Sequence, residues 1–318
     1  MTIDTSPRTE PEITQTRPPS PRAVAARWRE RAAGEAFLIP IALVVLILVA
    51  IPFARSVYYS FTDFSGMSPD TKFVGWQNYH RVFTDSSLLS GLSFTLLFAV
   101  STTVIITVLA IPLAVVLNRK FFGQGLARAV FFFPAIPSIA VLGMVWNFIL
   151  NPLASGALNR LLHTLFGMGA TPWLADNTLA KVSVIVVGVW AATGWHAILY
   201  LAYLQSIPSD YYEAATLDGA SPRQRFFHIT LPLLTPALTI STMLLMVQGL
   251  NVFALPVSLT GGGPGYATYT ITQTIVVSGI SQAQYGQASA LGVVFMLAVG
   301  LVILVQFRLT RRLEGSGS

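Results

Sequence analysis

The side chains able to do chemistry in this chain are few, and their settings narrow what that chemistry is. Trp195, His196 and Tyr200 stand together in one long uncharged run, and Gln248 and Asn251 in another. An amide in apolar surroundings is costly unless paired, and an aromatic face beside it suits the flat side of a hydroxyl-rich ring. Such a set suits a neutral polyhydroxylated solute. The same residues, with Trp190 and Thr193 nearby, have a second reading as interhelical hydrogen bonds and interfacial anchors. Bond-making chemistry has little to work with. There is no cysteine, which removes thiol nucleophiles, thiolate metal sites and disulfides and leaves the redox compartment unmarked. No G-x-x-x-x-G-K-[ST] segment occurs, so ATP hydrolysis is not expected of this chain. No catalytic residue, metal site or bound cofactor is expected either.

The elements that must position these residues are membrane spans. Of 318 residues, 53% are hydrophobic and 10% charged, against about 25% charged in a soluble domain. A net charge of +6 raises nucleic acid as a partner for a soluble protein, but here the basic residues collect in particular loops, and no nucleic acid is expected. At about 20 apolar residues per crossing, six spans fit, at about 36–57, 88–117, 129–150, 182–204, 233–257 and 286–307. The last two come from dividing one stretch. Nothing from 226 to 307 is Asp, Glu, Lys or Arg, and Gly261-Gly262-Gly263-Pro264-Gly265 cannot continue a helix. The piece at 268–280 is too short and polar to cross, and reads as an extracytoplasmic or re-entrant segment. A short helix is expected at 158–166, in the loop before the fourth span.

With the N-terminus inside, fourteen of the nineteen basic residues fall in cytoplasmic pieces, the bias this orientation requires. A seventh crossing would place the basic C-terminus outside against that bias. The expected fold is therefore all-α and integral to the membrane, with six transmembrane helices and both termini cytoplasmic. No charge lies at membrane depth, Arg55 falling at the outer end of the first span, which speaks against a proton- or sodium-coupled carrier. Residues 1–35 read as a disordered cytoplasmic tail, and 313–318 as a tail ending in a cloning remnant.

One polar island interrupts the apolar sequence at 205–232, QSIPSDYYEAATLDGASPRQRFFHITLP. It reads as helix, sharp turn, helix. Asp210 serves as N-cap with Glu213 three residues on, and Gly219 ends the first helix in a left-handed conformation. Ser221 caps the second, Pro222 takes its first position, and Leu231-Pro232 opens the next element. Ala214, Ala215 and Gly219 permit close approach of another chain. Arg223 and Arg225 either pair with acids on that chain or simply mark the cytoplasmic side.

Glu213-Ala214-Ala215, Asp218-Gly219-Ala220, then Ile229, Leu231 and Pro232 resemble the cytoplasmic coupling loop of permease subunits of binding-protein-dependent ABC importers. The likeness is nearest to the first permease of carbohydrate importers of the maltose and glycerol-3-phosphate type. It covers about 37–312, and its specific parts are this loop and Leu259-Thr260-Gly261-Gly262-Gly263-Pro264. The resemblance implies a multi-pass subunit of a bacterial-type cell (inner) membrane, surrounded by lipid and paired with a second homologous permease. It further implies two nucleotide-binding ATPase subunits, which hold the ATP and magnesium, and an extracytoplasmic solute-binding protein. In that family the loop conveys ATP-driven closure to the membrane helices, and solute binds near mid-membrane on the helices flanking it, which favours Gln248 and Asn251. The family often has an acidic residue where Asn251 stands, and this chain departs from it there. Two other readings stand beside the carbohydrate permease: a permease for a non-sugar solute, and a non-transporting membrane scaffold.

Overall fold

The computed structural model describes residues 38–68 and 71–315; the expected tail at 1–35 and the final residues 316–318 lie outside them. The chain divides into two compact units, 1–55 and 56–318. The first, described from residue 38, supplies most of helix α1 (Leu38–Tyr59), whose middle turn at Leu46–Ala50 is widened to a π-helix.

The second unit holds the rest. Short α2 (Gln77–Thr84) leads into α3 (Ser86–Asn118). Helix α4 (Gln124–Phe132) tightens into a 3₁₀ turn at Phe133–Ala135, and α5 (Ile139–Ile149) leaves it at 92°. After α6 (Ala157–Phe166) comes α7 (Asn177–Ser206). A hairpin of α8 (Asp210–Leu217) and α9 (Pro222–Leu233) follows, and α10 (Thr235–Leu250) departs from α9 at 66°. The chain closes with α11 (Ala254–Thr260), α12 (Ile271–Ser281) and α13 (Tyr285–Gly315). Among the described residues there is no strand, only an isolated bridge between Thr62 and Phe73.

Helices α1, α3, α7 and α13 are each long and apolar enough to cross a bilayer alone, and counting each bent pair as one crossing brings the number to six. Helix α3 buries Phe94 and Ile106 yet exposes Val104 and Val108. That is the pattern of a helix whose outer surroundings are hydrocarbon rather than water.

The breaks have local causes. Pro137 lacks the N–H that would extend the 3₁₀ turn, and Ser138 turns extended at ψ 135°, so the stretch expected as one span at 129–150 is cut in two. Leu231 and Pro232, expected to open an element, instead belong to the end of α9; the bend falls at the buried Leu234, and Pro236 sits in the first turn of α10. The fifth span, expected to run to 257, stops at Leu250. Pro256 cannot donate back to Val252, and Phe253 adopts φ −144° and ψ −59°, outside helical geometry. Helix α11 then ends at Thr260, where Gly261 takes φ +66°. The segment at 268–280, too short to cross, folds from Ile271 into helix α12: Thr270 caps it, and the Ile271 N–H donates to Thr95 Oγ1 on α3 at 2.9 Å.

Within lipid there is little hydrophobic drive between helices, so close packing at small residues and internal hydrogen bonds hold the bundle. A Cβ on Gly249 would meet the backbone of Ala99, and one on Gly194 would collide with the Phe131 carbonyl. These two contacts lock α10 to α3 and α7 to α4. Around them, Ile106, Leu117, Tyr200, Leu234 and Leu245 form one core, and Phe94, Phe98, Val187 and Leu255 a second. Most span hydroxyls return to the carbonyl four residues back, as Thr102 does to Phe98 at 2.7 Å and Thr193 to Val189 at 2.6 Å.

Candidate functional site

A cavity of about 570 Å³ opens where α3, α7, the 133–137 break and the α10–α11 break converge. Its walls are mainly apolar, including Phe98, Leu142 and Leu255, with Trp195, His196, Gln248 and Asn251 as convergent polar or aromatic groups. The break positions the amides. Because α10 ends at Leu250, Asn251 is its C-cap and Gln248 its last turn, and both stay exposed to the cavity rather than wedged in a helix contact. Asn251 Nδ2 donates to its own helix at Val247 O, 2.8 Å away, which satisfies a terminal carbonyl and fixes the side chain. Trp195 lines the cavity and is 39% exposed.

His196 and Tyr200 behave differently. His196 Nδ1 pairs with Ser241 Oγ at 2.8 Å, and the residue is 1% exposed. Its hydrogen bond is spent on holding α7 to α10, and it reaches the cavity as a wall behind Trp195, whose ring it meets at 74°. Tyr200, expected on the same path, does not line the cavity. It lies one turn further along α7, fully buried beside Ser241 and Thr107. Trp190 packs edge-on against Trp146 at 5.3 Å and, like Thr193, is absent from the cavity wall. Conversely, Thr102, Pro134, Pro137 and Phe253 line it without having been singled out as contacts. The two prolines stand within the apolar run at 129–150; Phe253 and Thr102 carry no local signal.

The α8–α9 hairpin is braced from within. Asp210 does not cap α8: Ser209 precedes it in helical geometry, and no side-chain cap is formed, so Asp210 and Glu213 act only as first-turn acids near the positive helix end. Gly219 takes φ +75°, the left-handed geometry that reverses the chain, and a Cβ there would meet nothing of this chain within 4 Å. Ser221 and Gln224 form a reciprocal capping box with Pro222 at the first position of α9. Arg225 Nη1 donates to Thr216 Oγ1 at 2.8 Å, and Tyr212 Oη meets Thr230 Oγ1 at 3.1 Å, cross-linking the two helices. Ala215, Asp218, Arg225 and Ile229 line a shallow groove between them. Glu213, Ala214, Arg223 and Pro232 are exposed, whereas Leu231 packs on the core. The tip residue Leu217 is 89% exposed.

These features define a class: a polytopic helical membrane subunit with a rigid hairpin beyond the spans and a cavity at its helix breaks. The chain belongs to the family described as binding-protein-dependent transport system inner membrane component, which it matches over residues 87–315. It is 32% identical over 278 residues to the probable starch degradation products transport system permease protein AmyD of Thermoanaerobacterium thermosulfurigenes, covering 87% of this chain and 94% of that one. It is 33% identical over 280 residues to the trehalose/maltose transport system permease protein MalF of Thermococcus litoralis, with coverage of 87% and 94%. Its fold is similar to that of a chain in the crystal structure of a bacterial ABC transporter involved in import of the acidic polysaccharide alginate. There the TM-score is 0.78 at 21% identity, over 91% of this chain and 98% of the other.

Proposed function

We propose that this permease forms, with a second homologous permease, the membrane path for a neutral carbohydrate or polyol. The observation that carries the reading is the cavity at the α10–α11 break, whose wall holds the amide-bearing Gln248 and Asn251 together with the part-exposed Trp195. Amides donate and accept at once, as hydroxyls do, and an indole offers an apolar face to a sugar ring. The relatives named for starch products and for trehalose and maltose support the same class of cargo. An extracytoplasmic binding protein delivers the solute. Two ATPase subunits, which carry the ATP and magnesium, seat the hairpin through Glu213, Ala214, Ala215, Asp218 and the exposed tip Leu217, and drive it as a lever. The basic residues of the loops at 119–128 and 223–225 support a cytoplasmic position for these loops and, with them, for both chain ends.

The test is reconstitution of the permease pair, ATPases and binding protein in proteoliposomes. ATP-dependent uptake of a neutral sugar should be abolished by Asn251→Leu with Trp195→Ala. Equal uptake without ATPase subunits would overturn the reading.

A further inference from the structure

A second cavity, of about 360 Å³, lies where the start of α3, the loop before α12, the end of α12 and the start of α13 meet. It falls within the size range of ligand pockets, about 300–1,000 Å³. Its chemistry is amide-rich: Gln282, Gln284 and Gln287 line it, together with Tyr266 and Tyr269. Gln287 is 9% exposed, and none of the three glutamine side chains forms a hydrogen bond among the described residues. The two tyrosine rings stand 5.0 Å apart at 74°, making a corner of aromatic faces. Arg81 and Asp85 line the cavity with opposite charges, so it presents no single sign to a ligand. The walls are set by contacts elsewhere: Ser90 Oγ donates to the Tyr266 carbonyl at 2.7 Å, and the Gln284 N–H to the Ser278 carbonyl at 2.9 Å.

We propose that this cavity is a second binding site, which takes one neutral hydroxyl-rich ring on its way to the cavity at the α10–α11 break. Each glutamine amide supplies a donor and an acceptor, which matches a hydroxyl that is both; a carboxylate or ammonium ligand uses only half of that set. The position suits a relay. Leu88 in this cavity and Phe98 in the other stand about 15 Å apart along α3 at 1.5 Å per residue. The loop at 261–270 runs from α11, a wall of the inner cavity, to Tyr266, a wall of the outer one. The inference rests on the carbohydrate reading above, and its test separates the two.

Because the chain has no cysteine, single replacements report local access. This chain, assembled with its second permease and the ATPase subunits in lipid nanodiscs, would carry Gln284→Cys, Phe253→Cys for the inner cavity, or Asn177→Cys as a remote control, and its labelling by a maleimide would be timed with maltose, trehalose or glucuronate present. At ten times its Kd, a neutral sugar should slow labelling at Gln284→Cys about tenfold, with no effect at Asn177→Cys and none from glucuronate. Adding Tyr266→Ala and Gln282→Ala, both at exposed positions, should remove that protection and leave protection at Phe253→Cys intact. Protection at Phe253→Cys without any at Gln284→Cys would refute the outer site alone, as would preferential protection by glucuronate or protection untouched by the double replacement. Absence of protection at both positions by either sugar would overturn the carbohydrate reading and the outer site together.

Discussion

Asn251 and His196 show how two polar residues in apolar sequence divide between recognition and support. Asn251 sits where α10 ends and stays open to the cavity, so Asn251→Ala should lower sugar uptake at least several-fold while leaving the thermal midpoint of the purified subunit nearly unchanged. His196 is closed in with Ser241, so His196→Ala leaves a buried hydroxyl unpaired and should cost about 1–3 kcal/mol, read as a lowered midpoint in detergent. If the two variants behaved alike, the division would fail. The amides of Gln248 and Asn251 were legible in the sequence as costly groups needing a purpose. The exclusion of Tyr200 was not, because one turn of α7 separates a cavity wall from the contact with α10, and only the crossing of the two helices decides which side a residue faces.

At the scale of elements, the hairpin is a case where local signals went far. Gly219, Ser221 and Pro222 occupy the turn and cap positions their types imply, because those preferences act over three or four residues. The expected cap at Asp210 failed for the same reason in reverse: Ser209 continues helical geometry, so the helix starts one residue earlier than a cap would allow. Gly219→Ala should strain the turn by about 1–2 kcal/mol, and Ser221→Ala should cost about 0.5–2 kcal/mol. The sharper probe is Leu217→Asp. Its side chain touches almost nothing within the chain, so folding and sugar binding should survive while sugar-stimulated ATP hydrolysis by the assembled complex falls. Unchanged stimulation would take the hairpin tip out of the coupling contact. Among the spans, the bends at 136–138 and at Leu234 and the stop at Leu250 each have a proline nearby, Pro137, Pro236 and Pro256, but a proline in an apolar run can kink a helix without ending it, so packing decides which of them breaks a span.

For the whole molecule, the expectation is a body that crosses the membrane without a charge at depth and is moved from one side. Single cysteines at Lys120 and Leu217 should react with impermeant maleimide only from the cytosolic side of oriented vesicles, and one at Arg160 only from the other. Labelling of Lys120→Cys and Arg160→Cys from the same side would break the crossing count between them. That count depends on treating α4 with α5, bent by 92°, as one crossing.

The amino-acid sequence by itself determined the solvent, the helical class, the positions of the apolar runs and the polar hairpin, since transfer of apolar residues into lipid and turn chemistry are local properties summed along the chain. Tertiary structure alone decided that α12 is tied to α3 through Thr95, and that broken helices meet to leave a cavity beside Trp195. Those outcomes depend on which small residues let which helices approach, as Gly249 does with Ala99, and that pairing is not written at any single position.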